Sequence, residues 1–441
     1  LQPDLGAGFV PPLVTRHQNP PAQTTYPPNH RPPRLVERAF RRVVFRFPVA
    51  KRGSCCEMRG PDMPRFRPAL IVPLALAASA AASLAACSSQ PDAPPPLDSK
   101  ALEAVTKDAG APTEDLARAV DTLFTDPELG ETRAVLVMQG GKIAAERYAP
   151  GYDKDTRMIS WSMAKTVTGV MIGMLVADGQ LRLDQSPPIP RWQRPGDPRG
   201  EITLRQLLQM RSGLRHTEAG PVPYESSEVR MLFLDGRDNM AAYAESQPLE
   251  AEPGAKFEYS SNTTVILADI AARVLTGNSD DPETRRQAVA GFLRDRLFGP
   301  LGMTSMVPEF DAHGTLIGGS LIHGTARDWA TFGEFLRHGG SWKGAQLVPR
   351  QWVTFMTSPS PREKNYGAQT WLNTTASQED DPLHPISQPS GIFAAIGHMG
   401  QYIIVSPKQR LTVVRLGHSD EAERRVLLNR LNDVVDLYPA R

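Results

Sequence analysis

A serine and a lysine three residues apart, Ser162 and Lys165, stand at the head of an apolar segment that continues to Asp178. A serine hydroxyl is a poor nucleophile until a neighbouring group removes its proton. Residues three apart on a helix share a face, so the lysine amine would reach the serine oxygen. The spacing therefore suggests a serine hydrolase that does not use histidine as its base. For this motif alone, the alternative is an N-cap serine followed one turn later by a solvated lysine.

Two later segments supply the partners that such a nucleophile needs. Residues 259–262 read Tyr-Ser-Ser-Asn before a predicted helix, and residues 398–401 read His-Met-Gly-Gln before a predicted strand. Together with the Ser162 motif, their order and separation resemble the serine β-lactamase and penicillin-binding protein superfamily. The signature of that superfamily is S-x-x-K, then a Tyr- or Ser-headed triplet ending in Asn, then K-T-G.

Flanking segments extend the resemblance over most of the chain. Residues 203–214 resemble the TLRHLLxMxSGL segment of class C β-lactamase-like hydrolases and esterases, and residues 318–328 resemble their GGxxxTARD segment. The similar region runs from Thr132 to Gly417. In combination these motifs are highly specific for this class.

The resemblance implies a role for each matching residue. Ser162 would be the nucleophile that forms an acyl-enzyme, Lys165 would accept its proton or hold the charge of the site, and Tyr259 would relay a proton to the leaving group. The backbone N–H groups of Ser162 and Gln401 would form an oxyanion hole, because two preorganised donors stabilise the charge that develops on the carbonyl oxygen. Lysine and tyrosine both have reference pKa values of about 10, so one of them must be perturbed to act as a base. Which of the two is the resting base stays open at this point.

Two departures from the family pattern affect the predicted substrate. The K-T-G position begins with His398, whereas the lysine of β-lactamases and DD-peptidases helps to bind the substrate carboxylate there. A histidine is mostly neutral at pH 7 and offers a weaker anion site, so His398 and Gly400 are predicted to bind substrates other than β-lactams or D-Ala-D-Ala peptides. This departure fits the esterase and 6-aminohexanoate-dimer hydrolase branch. The tyrosine motif has an extra residue, and Asn262 therefore either binds substrate or caps the following helix.

Three functions are compatible with these motifs. The first is hydrolysis of small-molecule esters or amides through an acyl-enzyme on Ser162, with Lys165 and Tyr259 as the acid-base pair. The second is a β-lactamase or DD-peptidase that acts on penicillins or cell-wall peptides. The third is an inert sensor or binding module, which the presence of all three catalytic side chains disfavours. No cofactor and no metal are expected, and the sequence contains neither the H-E-x-x-H motif nor the G-x-S-x-G motif of other hydrolases.

Some other residues have two interpretations. Trp161 would line an acyl pocket or pack in the core, and packing is the favoured interpretation. Tyr224 and residues 231–233 would shape the substrate cleft or pack in the core. The histidines without metal-ligand spacing are interpreted as surface or loop residues: His216, His313, His323 and His338.

The order of predicted elements indicates how the chain would position the site. A helix at 113–124 with Thr113 as N-cap and a β-hairpin at 133–148 come first, helices dominate the middle, and strands with a closing helix at 421–437 come last. We therefore expect an α/β fold of the α+β type, with an antiparallel sheet built from both chain ends, flanking helices and an inserted helical subdomain at about 190–310. The other predicted helices cover residues 162–178, 204–210, 263–275, 282–297, 325–337 and 349–356, and the C-terminal strands cover residues 392–396, 401–405 and 411–416.

The first hundred residues differ in composition from the rest of the chain. Residues 1–62 are rich in Pro and Arg and are predicted to be disordered or read-through upstream sequence. Residues 63–87 have a basic start, an apolar run and a final Cys87, which resembles a bacterial lipoprotein signal with its lipidated cysteine; a membrane-spanning anchor is the alternative. Residues 88–110 are predicted to be a tether to a hydrolase domain at 111–441. The predicted location is the cell envelope, lipid-anchored to the outer membrane and facing the periplasm.

The overall composition sets further bounds. The chain has 441 residues and a formal net charge of +1, which gives no reason to expect a nucleic-acid partner. All three cysteines precede residue 88, so the part of the chain that follows can form no internal disulfide and no thiolate metal site.

Overall fold

The computed structural model describes residues 96–374, 381–386 and 389–440. The predicted signal, Cys87 and the first part of the predicted tether lie outside these residues and stay predictions. The last part of that tether is ordered against the fold, because Ala101 and Ala109 are buried and Val105 forms a β-bridge with Ala145. The domain therefore begins before the predicted boundary at residue 111.

The described part of the chain contains both helices and strands. The helices are α1 Ser99–Glu103, α2 Thr113–Thr125, α3 Ala164–Ala177, α4 Leu204–Leu208, α5 Ser227–Phe233, α6 Met240–Glu245, α7 Ser261–Thr276, α8 Pro282–Leu293, α9 Gly299–Leu301, α10 Ala326–Arg337, α11 Arg350–Met356 and α12 Arg424–Asp436. The strands are β1 Glu131–Gln139, β2 Lys142–Tyr148, β3 Met158–Ile159, β4 Val307–Pro308, β5 Ile322–Gly324, β6 Ser341–Trp342, β7 Ala345–Gln346, β8 Trp371–Leu372, β9 Phe393–Gly397, β10 Gln401–Ser406 and β11 Leu411–His418.

The largest sheet joins the two ends of the domain. Its six strands lie in the order β2-β1-β11-β10-β9-β8, and all neighbours are antiparallel. Strand β11, from the C-terminal part, therefore lies between β1 and β10. The segment between β2 and β8 is mostly helical, and the fold predicted from the sequence is confirmed.

The sheet is buried on both faces. In β1, Ala134 and Leu136 belong to the core that contains α3, α7 and α10, whereas Val135 and Val137 belong to the core that contains α2 and α12. This alternation follows from the two-residue period of a strand. The sheet is thus the middle layer between two sets of helices.

Helix α3 is the central helix of the larger core. Twelve of its 14 residues are buried, and a helix that is apolar on all sides requires neighbours on all sides. Close packing depends on two glycines: Trp352 donates its indole N–H to the Gly169 carbonyl at 3.0 Å, and a Cβ on Gly173 would lie 2.1 Å from the same nitrogen. This packing holds the helix whose N-terminal end carries Ser162 and Lys165.

Several local features differ from the sequence-based expectations. The N-cap of α2 is Pro112 and not Thr113, which is the first helical residue. Helices α5 and α6 were not predicted, because each is short and their side-chain patterns are weak. The helix predicted at 282–297 leaves α-helical geometry at Leu293 and continues as a π-helical turn at Arg294–Phe298. None of the helices in the described ranges is long and apolar enough to span a membrane.

Substitution of Gly173 by Ala is expected to destabilise the protein by about 1–3 kcal/mol, because the added methyl group would overlap the indole of Trp352. The matched control is Gly291→Ala in α8, where an added Cβ would lie 3.7 Å from its nearest neighbour, Arg294 Nη2. That change is expected to be neutral or stabilising by up to about 1 kcal/mol. Urea denaturation of both variants measures the difference, and equal unfolding free energies would contradict the packing described for α3.

Candidate active site

The backbone turns sharply immediately before Ser162. Ser160 is fully buried, and its backbone N–H donates to the Ile322 carbonyl at 3.0 Å. Trp161 then adopts a φ of 46°, a left-handed conformation that is costly for a bulky residue. A short helical turn, Trp161–Met163, leads into α3. Ser162 therefore lies at the N-terminal end of a buried helix, where free N–H groups and the helix dipole stabilise negative charge.

Three oxygen atoms surround the amine of Lys165. Its Nζ lies 3.0 Å from Ser162 Oγ, 2.7 Å from Ser261 Oγ and 2.9 Å from the Gly319 carbonyl oxygen. The side chain is only 2% exposed. Because an ammonium group has three protons and no lone pair, three acceptors match the protonated form of this lysine.

Two glutamates complete the surroundings of Lys165. Glu218 Oε1 lies 3.5 Å from Nζ, and the Glu218 carboxylate accepts from the backbone N–H of Ser261 at 2.5 Å and from its hydroxyl at 2.6 Å. Glu228 Oε1 lies 2.9 Å from the same hydroxyl. Burial by itself lowers the pKa of Lys165, but Tyr259 and the two glutamates outweigh this effect, so the pKa is raised.

An aromatic cluster holds Tyr259 beside the lysine. Lys165 Nζ lies 4.8 Å from the centroid of the Tyr259 ring, which packs against Trp371 at 5.1 Å and Tyr366 at 5.7 Å between centroids. Burial raises the pKa of Tyr259, although the charge of Lys165 and a hydrogen bond with Ser162 lower it. The resting site at neutral pH therefore contains an ammonium and a neutral phenol. The three side chains predicted to be catalytic lie together, and their chemical roles stay predictions.

Asn262 lies away from Lys165. Its side chain is fully buried, donates to the Ser227 carbonyl and accepts from the Ser227 hydroxyl, each at 3.3 Å. The N-cap of α7 is Ser260, whose hydroxyl accepts from a backbone N–H of the first turn. The predicted helix cap at Asn262 is therefore wrong, and substrate binding by Asn262 stays a prediction. The residue beside the lysine is Ser261, one position earlier.

Gln401 is the first residue of β10, which lies between β9 and β11 in the sheet. The strand that contacts the turn before Ser162 is β9, where a Cβ on Gly397 would lie 2.2 Å from the Ser160 carbonyl oxygen. Gln401 pairs with Gly397 from β10, and its side chain bonds to the backbone of Gly417 in β11 at 2.7 and 3.0 Å. Backbone N–H groups of an interior strand point to its two neighbours. These contacts favour a donor on β9, and the Gln401 donor stays a prediction.

His398 follows β9 and contacts Trp161. The two rings meet edge to face, with 5.4 Å between centroids. Burial lowers the pKa of His398 to about 4, so the imidazole is neutral at pH 7. The next residues turn with positive φ, and a Cβ on Gly400 would lie 2.6 Å from Arg415 Nη1. Gly400 therefore faces the interior and supports the turn, and the predicted contact of Gly400 with substrate has no support in this arrangement.

Two glycines bring the loop before β5 against the nucleophile helix. The Gly318 carbonyl accepts from the Thr168 hydroxyl at 2.9 Å, and the Gly319 carbonyl accepts from Lys165. A Cβ on Gly318 would lie 2.4 Å from Thr168 Oγ1, and one on Gly319 would lie 2.9 Å from the Ser261 carbonyl oxygen. Any side chain at these positions would displace an acceptor of the lysine ammonium.

His216 lies in a loop, as predicted, but it is buried and does not lie at the surface. Its ring is 2% exposed and lies between Thr263 Oγ1 at 3.2 Å and the Ala244 carbonyl at 3.1 Å. His216 thereby joins α7 and α6 to the segment that carries Glu218.

Tyr224 is 66% exposed. In the ranges that the structure describes, no group of three or more His, Cys, Asp or Glu side chains is arranged to hold a metal ion.

The sequence motifs did not single out several residues of this site. Ser261 occupies the third position of a strict Y-x-N triplet. That position is the sequence feature that could have identified it as a residue of the site. Glu218 and Glu228 lie in a segment with no motif, and Tyr366 and Trp371 lie near the end of a long loop region. Their proximity to Lys165 depends on tertiary packing and has no local pattern.

The comparisons with known proteins agree with this geometry. A sequence profile of the Beta-lactamase family matches residues 130–436, and the chain belongs to that family. The chain is 25% identical over 350 residues to a 6-aminohexanoate-dimer hydrolase of Paenarthrobacter ureafaciens, which covers 72% of this chain and 82% of that protein.

Solved structures share the fold at low sequence identity. A family VIII carboxylesterase matches with a TM-score of 0.55 and 16% identity, over 76% of this chain and 98% of the other. A β-lactamase from Mycobacterium bovis matches with a TM-score of 0.52 and 18% identity, over 73% of this chain and 100% of the other. The protein is therefore a serine hydrolase of the β-lactamase family, and these relatives do not determine its substrate.

His216 is expected to make the protein less stable as the pH falls. Burial lowers the pKa of His216 to about 4 from 6.5, so the unfolded chain takes up this proton first. The stabilisation is complete above pH 6.5 and is lost as the pH falls towards 4. The loss at pH 5 relative to pH 8 is about 2 kcal/mol.

Urea denaturation of wild type and His216→Gln at pH 8, 6 and 5 measures this effect, and the variant should lack this part of the pH dependence. The partly exposed loop residue His313 provides the control, because His313→Gln should keep the wild-type dependence. Parallel pH curves for His216→Gln and wild type would contradict the interpretation.

Proposed function

We propose that this protein hydrolyses ester or amide bonds of substrates without an essential carboxylate, through an acyl-enzyme on Ser162. The contact that carries the proposal is the 3.0 Å distance between Ser162 Oγ and the buried amine of Lys165. The names of two relatives support hydrolysis as the reaction: one is a 6-aminohexanoate-dimer hydrolase and one is a family VIII carboxylesterase.

The chemistry begins with attack of Ser162 Oγ on the substrate carbonyl carbon. A new C–O bond forms, the serine proton passes to whichever of Lys165 and Tyr259 has first lost its own proton, and the carbonyl oxygen becomes an oxyanion. The Ser162 N–H at the helix N-terminus, with a donor from β9, would stabilise that charge. Breakage of the ester or amide bond sends the proton to the departing alcohol or amine. A water molecule then attacks the acyl-enzyme carbonyl in the same way. The acid is released, and the proton returns to Ser162 Oγ.

The surroundings of the nucleophile support neutral substrates. In penicillin-recognising relatives a lysine at the K-T-G position supplies a cation, and here that position holds the neutral His398 against Trp161. Lys165 already has three oxygen neighbours and cannot serve as a free anion site. The aromatic rings of Tyr259 and Trp371 add an apolar surface beside the amine. An ester or amide with uncharged groups fits this surface best.

Ser162→Ala is expected to abolish hydrolysis of short p-nitrophenyl esters, because no other group would form the acyl-enzyme. The measurement is the initial rate against ester concentration for wild type and variant. Ser160→Ala is unsuitable as a control because that hydroxyl is buried in the turn. The exposed Ser99→Ala variant, which should keep the full rate, serves instead. Unchanged turnover by Ser162→Ala would contradict the proposal.

Wild-type protein is expected to resist acylation by a fluorescent penicillin under conditions where an alkyl fluorophosphonate labels Ser162. The physical reason is the absence of a cation at His398 to hold the penicillin carboxylate. Gel fluorescence with Ser162→Ala as the blank measures both reactions. Rapid, Ser162-dependent labelling by penicillin would instead favour a β-lactamase or DD-peptidase.

Tyr259→Phe is expected to lower kcat by about 10²–10⁴-fold, as loss of a general acid–base group does. The ring contacts with Trp371 and Tyr366 would remain, so the melting temperature should change little. Steady-state kinetics on the same esters, together with thermal unfolding, separates the two effects. A variant with wild-type kcat would rule out Tyr259 as the proton relay.

A further inference from the structure

Two arginine side chains converge on one backbone carbonyl, that of Gly254. Arg211 Nη1 donates to the Gly254 oxygen at 3.0 Å, and Arg362 Nε donates to the same oxygen at 3.5 Å. Gly254 permits this approach, because its φ is 85° and a Cβ there would lie 3.1 Å from Arg211 Nη1. Two guanidinium cations therefore lie side by side.

No acid in the described part of the chain neutralises these two cations. None of the ion pairs between described residues includes Arg211 or Arg362. Two acids close by in the sequence are engaged elsewhere, because Glu250 and Glu258 form ion pairs with Lys256 at 2.7 and 2.8 Å. The positive charge of the two arginines therefore remains uncompensated by these neighbours.

Arg211 also keeps hydrogen-bond donors that no acceptor uses. A guanidinium has five N–H groups, and besides the bond to Gly254, Nη2 donates to Gln209 Oε1 at 2.8 Å. Its Nε is buried and has no hydrogen-bond partner among the described residues. The residue is only 9% exposed. Burial and the positive charges of Arg362 and Arg205 lower the pKa of Arg211, as expected for a cation without an anion beside it.

Other buried arginines of this protein are compensated. Arg285 forms an ion pair with Asp269, and Arg337 forms one with Glu334 at 2.6 Å. Arg415 directs all three of its nitrogens to carbonyl and hydroxyl oxygens. In the described ranges, the two arginines at Gly254 have neither an acid partner nor a full set of neutral acceptors.

We propose that Arg211 and Arg362 form a binding site for the oxyanion group of a small molecule, either a phosphate or a carboxylate. Planar guanidinium groups bind both kinds of anion through paired N–H donors. A bound anion would accept N–H groups from both arginines and would offset the repulsion between them. This site is separate from the catalytic one, since neither arginine contacts Ser162 or Lys165 within the described ranges.

An anion at this site would connect two segments that support Tyr259. The backbone carbonyl of the residue before Arg211 accepts the N–H of Glu258, which precedes Tyr259, at 2.8 Å. Arg362 lies in the loop that leads to Tyr366, whose ring contacts Tyr259 at 5.7 Å between centroids. Because the anion binds the folded arrangement of these segments, it should stabilise the folded protein.

The test is binding of inorganic phosphate and of acetate to the full chain, measured by isothermal titration calorimetry with chloride holding the ionic strength constant. Wild type should bind at least one of these anions with a Kd of about 1 mM or tighter. Its melting temperature should rise by about 2 °C at ten times that Kd. Arg362→Gln removes an exposed guanidinium and should weaken binding by about tenfold or more. The exposed Arg194→Gln variant is the matched control and should bind like wild type.

Each outcome supports or overturns the site. Binding of phosphate alone assigns a phosphoryl ligand and binding of acetate alone a carboxylate, provided that Arg362→Gln loses it. Arg211→Lys keeps the charge without the paired donors and should also bind more weakly; if it fails to fold, Arg362→Lys replaces it. Equal binding by wild type and Arg362→Gln, or no binding of either anion, would overturn the site. These measurements do not involve hydrolysis at Ser162, so this inference and the proposed function can fail independently.

Discussion

The structure depends on one costly feature, a lysine ammonium buried at the centre of the fold. Removing such a cation from water costs several kcal/mol unless hydrogen bonds and opposite charges replace the lost hydration. Lys165 receives this replacement from three oxygen atoms and from the nearby carboxyl group of Glu218. Each of these groups lies on a different element: the start of α3, the start of α7, the loop before β5 and the segment before α5. Keeping one charge buried therefore requires four separate parts of the chain to meet at one point.

The same requirement explains which parts of the site could be predicted. The Ser-x-x-Lys spacing and the tyrosine segment are local patterns, and the structure brings Ser162, Lys165 and Tyr259 together as the sequence predicted. The sheet formed from both chain ends also followed from the order of elements. The glutamates could not be found in this way, because their contacts with Ser261 are set by how α5 and α7 pack. Asn262 is an error of the opposite kind. It fits the motif by residue type, but it lies one position beyond Ser261 in α7, and its side chain contacts Ser227.

The neutrality of His398 follows from burial as well. His398 packs on Trp161, whose strained backbone precedes the nucleophile, and this contact keeps the imidazole uncharged. Beneath the turn, Arg415 places a guanidinium against backbone carbonyls, including that of Gly400 at 2.8 Å. This positive charge is directed inward, where it fixes the shape of the turn.

The position of β11 has a consequence for how the protein is made. Strand β1 emerges early in synthesis, yet its partner on one side is residues 411–418, near the end of the chain. Strand β9, which supports the turn before Ser162, is likewise late and gains its own partner only with β10. During translation, the helix that carries Lys165 therefore cannot complete its packing until almost the whole domain has left the ribosome. One edge of β1 stays unpaired for the same time. The surroundings of Ser162 are therefore complete only at this last step of synthesis.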